Sequence, residues 1–369
     1  MSQTKVEAPF VENNQPFRNF CINGDMKFNQ RAISSTTGLG AGGAHYLVDR
    51  TRTYSVTTAG RYTISQETDV PSGLGFTNSL KMQCTTADTS IAAGELTLIQ
   101  HRMEGQFLQS IAKGTSSAKQ LTVSFYAKAN EARVHSLEVK DEDNTRHCSK
   151  LFTTTTDWKR HVLTFPADTT GALDNDNAQS ISLNFFMHAG STYTDGTLQS
   201  GSFAAITNGN RAAGIGSIMA STDNNFFITG LQMELGDAAT DFEFVPHDVQ
   251  LQRCQRYYEK SYNLSVTPGT STTYEGTTLA EVIADGTTTR IKMFDSKFLV
   301  RKRAAPTLTI YTSDGGASGE INNYSSGADK TISSIGNTSE TNLGRYMTMS
   351  DAGATNETYE FQYQADAEL

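Results

Sequence analysis

Gly38, Gly40 and Gly43 in GLGAGG carry the spacing of a dinucleotide-binding loop. That loop works only when a buried strand leads into it and a helix N-terminus receives the pyrophosphate. Here polar NQRAISSTT precedes and AHYLVDRTRTY follows, so the segment reads as two strands around a flexible turn. Two acidic stretches, Asp141, Glu142, Asp143 and Asn144, then Asp174, Asn175, Asp176 and Asn177, offer the hard oxygens that calcium prefers. Neither follows the helix–loop–helix calcium pattern, and both read as ordinary turns. The histidines, among them His45, His101, His135, His147, His161 and His188, form no helical i, i+4 pair. Cys21, Cys84, Cys148 and Cys254 include no Cys-x-x-Cys pair, so packed, reduced thiols are expected. There is no phosphate-binding P-loop, no G-x-S-x-G and no H-E-x-x-H. A glycosidase would need two carboxylates about 5–10 Å apart in a cleft, and no motif points to such a pair. The expectation is therefore no catalytic set, no metal and no cofactor. What remains is stacking chemistry. Trp158, Tyr193, Tyr274 and Tyr324 lie in or beside polar loops, where a ring can lie against the apolar face of a sugar, although each also suits the plugging of a strand end.

The elements that must position these residues are strands. In QLTVSFYAKA the apolar set Leu121, Val123, Phe125 and Ala127 alternates with Thr122, Ser124, Tyr126 and Lys128, the period of a half-buried strand. Ile181, Leu183, Phe185 and Met187 repeat it, and in NFFITGLQMEL the pattern places Phe227, Thr229, Leu231, Met233 and Leu235 on one face. Shorter runs are Leu80, Met82 and Cys84, then Leu137 and Val139, then His161, Leu163 and Phe165. Gly, Asn, Asp, Ser and Thr clusters supply turns between them, and nothing of helical period separates consecutive strands. The pattern predicts an all-β chain, with an antiparallel jelly-roll sandwich over residues 16–246. PHDVQLQRCQRYYEKSY is the one helix candidate. Pro246 fixes its entry, Asp248 caps it, and Leu251, Cys254 and Tyr258 recur at spacings of three and four. It is read as a connector over 247–262 to a smaller β-sandwich at 263–369. Residues 1–15 are polar and aperiodic and read as an arm.

Composition agrees with strands and turns. Charged residues make up 19% of the 369 residues, and the net charge of -9 excludes a protein built to neutralise nucleic-acid phosphates. The one basic run, Arg301, Lys302 and Arg303, reads as a solvated strand end. No stretch approaches the roughly 18 apolar residues that cross a bilayer, and the N-terminus has no apolar core of a signal peptide. The expectation is a chain made in a cytoplasm without membrane insertion.

RNFCINGDMKFNQRA followed by YLVDRTRTY resembles the opening of the carbohydrate-binding-module-like jelly rolls of bacteriophage tail fibres, which often read N-L-x-I-N-G-D-F-x-x-x-Q-R-G and then Y-x-x-D-R-W. Asn23, Gly24, Asp25, Gln30, Arg31, Tyr46, Asp49 and Arg50 match, with Ala32 in place of Gly and Thr51 in place of Trp. The closing FFITGLQMELGDAATDFEFVPHDVQLQRCQRYYEKSY is similar to the same family's V-Q-L-E-x-G strand, F-E-x-R-P turn and C-Q-R-Y-Y helix. Leu231, Gln232, Glu234, Gly236, Phe242, Glu243, Pro246, Cys254, Gln255, Arg256, Tyr257 and Tyr258 carry that match, and Val245 departs from it. KFLVRKRAAPTLTIYTSDG resembles the small β-domain that commonly follows, through Arg303, Ala304, Pro306 and Tyr311. The resemblance implies a virion structural protein: a tail-fibre or spike subunit, homotrimeric, docked to other virion proteins by its arm, and attaching to a host-surface glycan without catalysis. The alternatives are a capsid decoration or head-fibre protein and a glycan depolymerase. The matching residues read as core, turn and packing positions, so no binding site comes with them.

Overall fold

The computed structural model describes residues 17–272, 275–284, 289–294, 296–314, 316, 318–350 and 357–369. The arm expected over 1–15 and Tyr274 lie outside the described residues. The chain divides into two compact units: residues up to Lys27 with Thr37–His45 and Thr51–Pro246, and Phe28–Thr36 with Tyr46–Arg50 and His247–Leu369. The helix, read above as a connector, thus groups with the C-terminal residues, as do two short stretches from near the start of the chain.

The larger unit is an antiparallel two-sheet jelly roll. Its strands are β1 (Ser35–Leu39), β2 (Gly43–Tyr46), β3 (Thr51–Val56), β4 (Arg61–Glu67), β5 (Ser79–Thr86), β6 (Leu96–Glu104), β7 (Leu121–Ala129), β8 (Val134–Asp141), β9 (Arg146–Thr153), β10 (Lys159–Phe165), β11 (Gln179–Ala189), β12 (Ala204–Ala205) and β13 (Asn225–Leu235). One sheet runs β1-β4-β5-β13-β7-β10 and the other β12-β9-β8-β11-β6-β3-β2, so the chain crosses repeatedly from sheet to sheet. GLGAGG forms the turn between β1 and β2. Alternation buries one face of each sheet against the other. Phe125 of β7 meets Phe185 of β11 edge-on at 5.0 Å and Phe152 of β9 at 4.9 Å, and His135 of β8 meets Phe226 of β13 at 5.2 Å.

β13 departs from the expected face. Its register shifts between Thr229 and Gln232 against β7, around Gly230, whose φ is +64°. Before this bulge Phe226 and Ile228 point into the core; after it Leu231 and Met233 do. Phe227 therefore lies on the outer face, contrary to the simple alternation, because the extra residue resets the period. Gly230 is required there: a Cβ would stand 2.7 Å from Phe76 Cζ.

The smaller unit holds α2 (His247–Gln255; α1 is the single turn Ser191–Thr194 of the larger unit) and strands β14 (Tyr258–Lys260), β15 (Thr278–Ala284), β16 (Thr289–Met293), β17 (Thr307–Tyr311), β18 (Glu320–Asn323), β19 (Asp329–Gly336), β20 (Tyr346–Met349) and β21 (Thr358–Asp366). Its strands run β14-β21-β15-β16-β20-β19-β18, and β21 also pairs β18. These antiparallel strands pack around Ile291, Ile321, Met347, Tyr359 and Phe361. The helix stops at Gln255 rather than running to 262, because Tyr258–Lys260 pairs with β21. No helix among the described residues is long and apolar enough to cross a membrane.

The motif residues Gln30, Arg31, Asp49 and Arg50 build a buried knot in this smaller unit. Gln30 Nε2 donates to Asp49 Oδ2 and to the Tyr258 carbonyl, each at 2.8 Å. Arg31 lies over the Tyr258 ring at 4.0 Å and pairs with Asp366 at 3.0 Å. Burial pushes the Asp49 carboxyl up to about 6 against the pull of Arg31. The basic run also differs from expectation. Only Arg301 is exposed, whereas the Lys302 ammonium is fully buried 2.6 Å from Glu259 Oε2, and Arg303 donates to the Ala367 carbonyl. A buried ammonium needs such a partner to offset its desolvation.

Candidate functional site

On the outer face of the first sheet, strand register lines up Lys81 of β5, Phe227 of β13 and Lys128 of β7 in one row. Trp158, immediately before β10, extends that row. The Phe227 ring has the Lys81 ammonium 5.2 Å from its centroid and the Lys128 ammonium 4.9 Å away. Trp158 stands edge-on to Phe227 at 6.2 Å, with Lys128 5.5 Å from its ring. Both aromatic rings are half-buried, which leaves part of each open to solvent.

One carboxylate orders this row. Trp158 Nε1 donates to Asp69 Oδ1 at 3.0 Å, and Lys128 pairs with Asp69 Oδ2. Partial burial alone would raise the Asp69 carboxyl, but the hydrogen bonds from Lys128 and Trp158 outweigh it and hold the group below the usual carboxylate range. The arrangement offers ring surface for an apolar face, with the indole fixed in orientation, and beside it the Lys81 ammonium and the Lys128 ammonium, which Asp69 partly neutralises.

The four aromatics proposed from sequence do not converge. Trp158 is in this row. Tyr193, in α1, packs against the opposite sheet's outer face, beside Tyr54, Leu98 and Phe186. Tyr324 is exposed in the smaller unit, in the turn after β18, and Tyr274 lies outside the described residues. The sequence reading missed Phe227, Lys81 and Lys128. The alternation of β7 puts Lys128 opposite the core-facing set, but only the bulge at Gly230 brings Phe227 beside it.

A polar rung crosses the second sheet: Arg52 Nε to Gln100 Oε1 at 2.9 Å, Gln100 Nε2 to Asn184 Oδ1 at 2.8 Å, Asn184 Nδ2 to Glu138 Oε2 at 2.8 Å. Arg211 grips Glu138 with two hydrogen bonds of 2.7 and 2.8 Å. Burial would raise the Glu138 carboxyl, yet Arg211 pulls it down to about 2. These groups satisfy one another and read as a structural ladder. In the acidic stretches Asp141, the last residue of β8, accepts from the Asn144 amide at 3.1 Å and pairs with Lys113 at 2.5 Å, and Asp143 accepts from the Asp174 amide at 2.9 Å.

No protein-family model matches the chain, and no curated protein matches it. Solved structures with some likeness include the enzymatically active domain of tailspike protein 4 of Bacteriophage CBA120, at 12% identity and a TM-score of 0.30 over 60% of this chain. The chain spans only 22% of that tailspike's length. A family 4 carbohydrate-binding module is 10% identical with a TM-score of 0.29, over 58% of this chain and 97% of the module. The family 11 module of the Clostridium thermocellum cellulase Lic26A-Cel5E is 15% identical with a TM-score of 0.27, over 55% of this chain and all of the module (100%). Likenesses this distant transfer no function.

Proposed function

We propose that the chain is a virion attachment protein, a tail-fibre or spike subunit, whose sandwich holds a host-surface glycan against Trp158 and Phe227 without cleaving it. The observation that carries this reading is the row Lys81, Phe227, Lys128 and Trp158, with its indole fixed by Asp69. The two ammonium groups select an acidic saccharide over a neutral one. A homotrimer supports attachment through individually weak sites, because tethered copies raise the effective concentration of the second and third contacts. The polar arm over 1–15 supplies the docking segment for other virion proteins.

The test is titration of the full chain with a panel of acidic and neutral oligosaccharides, by calorimetry, beside Trp158→Ala and Phe227→Ala. At least a tenfold loss of affinity for an acidic glycan in each variant, at unchanged melting temperature, is expected. Equal binding by all three proteins would remove the surface as the site. Chromatography of the polysaccharide after incubation reads out cleavage, and chain shortening would replace attachment with depolymerisation. Electron microscopy of particles separates a tail address from a capsid one.

A further inference from the structure

At one end of the sandwich, Asp88, Glu95 and His188 are all buried and bring one ligand atom each to within 4.8 Å of one another. Asp88 and Glu95 come from the connection between β5 and β6, and His188 from the end of β11. His188 Nε2 is 3.2 Å from Glu95 Oε2 and 3.9 Å from Asp88 Oδ2. A fourth donor joins from the turn between β3 and β4: Thr58 Oγ1 is 3.1 Å from Asp88 Oδ2 and 3.4 Å from His188 Nε2. Donors around a tetrahedral ion with bonds of about 2.0–2.1 Å stand about 3.4 Å apart, and the measured separations bracket that value.

We propose that Asp88, Glu95, His188 and the Thr58 hydroxyl form a structural site for a divalent transition ion of the zinc class. The electrostatics ask for a cation. Two carboxylates and an imidazole converge in a buried place, their ligand atoms within 4.8 Å of one another, and like charges so placed repel strongly unless a positive charge sits between them. An imidazole ligand favours zinc or its neighbours over calcium and magnesium, which take oxygen.

The surroundings are arranged for ligation. The register of β11 against β6 shifts between Phe186 and His188, so that Phe186 pairs Leu98 and His188 pairs Thr97. Without that bulge His188 would follow Phe186 onto the outer face; with it, the ring is re-aimed at the carboxylates. The other ring nitrogen, Nδ1, is 2.7 Å from Ser217 Oγ. Ser217 can accept Nδ1–H and leave the Nε2 lone pair facing the cluster, the arrangement that metal-bound histidines adopt. The Asp88 carboxylate is held in turn by the Ser90 amide, which donates to Asp88 Oδ1 at 3.1 Å, and the backbone of Glu95 is fixed by the Gly190 amide, which donates to its main-chain carbonyl at 2.9 Å.

The test uses tag-free full chain stripped with a chelator and titrated with zinc chloride. One ion per chain is expected by elemental analysis after gel filtration, with a melting temperature raised by about 5–10 °C at a hundredfold excess over Kd. Asp88→Asn and Glu95→Gln keep shape and remove charge; each should weaken zinc at least tenfold and abolish the zinc-dependent rise. X-ray absorption on the wild-type protein, which needs no variant to fold, should show one imidazole and oxygen neighbours. No zinc uptake, uptake unaltered in both variants, sulfur neighbours, or calcium displacing zinc at equal concentration would each overturn the proposal.

Discussion

Arg50 sits over the Tyr257 ring, its guanidinium carbon 3.4 Å from the ring centroid, and pairs with the Glu368 carboxylate. All three are almost wholly buried, so the contact ties an early stretch of the chain to its final residues inside the smaller unit. Replacing Arg50 by Ala leaves the buried Glu368 carboxylate only the more distant Arg31, 3.9 Å away, and we expect a loss of about 3 kcal/mol in chemical denaturation. Arg50→Lys keeps the charge but not the planar fork or the stacking, and should recover only part of that loss. Costs below about 1 kcal/mol for both would mean the pair is dispensable.

Gly230 sets which ring of β13 faces outward. Its positive φ and the 2.7 Å approach that a Cβ would make to Phe76 predict that Gly230→Ala destabilises the sandwich by about 2–4 kcal/mol, combining backbone strain with overpacking. Urea unfolding measures it, and a neutral result would show that the bulge relaxes freely.

Buried imidazoles make the sandwich acid-sensitive. Burial pushes His135 down to about 3 and His161 down to about 4, against an unfolded value near 6.5. The unfolded chain therefore binds more protons between pH 6.5 and these values. The stability that neutral imidazoles allow is complete above pH 6.5 and falls as pH drops, by up to about 1.4 kcal/mol per pH unit for each ring. Glu138, held at about 2, adds loss of the same sign below its unfolded value near 4.3. Denaturation midpoints at pH 7.5 and 5.0 should differ accordingly; a midpoint unchanged by pH would refute the burial argument.

Lys81 and Lys128 flank Phe227 from neighbouring strands. If they neutralise an acidic sugar, Lys81→Ala with Lys128→Ala should weaken binding about tenfold and flatten its salt dependence, since screening acts only on charge. Retained salt dependence in the double variant would place the anion contact elsewhere.

Much of this was legible in the sequence. Strict alternation at Leu121, Val123, Phe125 and Ala127 states a strand with one buried face, and those residues line the core. Period-two reading failed where a residue is inserted: it put Phe227 inside because the alternation was carried straight through Gly230, a lone strand glycine that is the local mark of a bulge. It took Lys302 for a solvated residue because its partner Glu259 comes from β14, far away in sequence. Asp88, Glu95 and His188 offered no ligand spacing, since the fold rather than the sequence makes them neighbours. The motif residues Arg31, Asp49 and Arg50 were read as packing positions, and their knot bears out that reading. Trp158 and Tyr193 looked alike as loop aromatics, and only strand order assigns them to opposite sheets.

The chain contributes Phe28–Thr36 and Tyr46–Arg50 to the smaller unit before most of the larger one has been laid down. Synthesis from the N-terminus must therefore leave those early pieces waiting until Leu369 has left the ribosome. Nor can recombination lift the tail end out as a cassette by one cut after Pro246, because the piece removed would lack Arg31 and Arg50. Grafts that keep the two stretches together with His247–Leu369 should fold, and a clean C-terminal fragment should not.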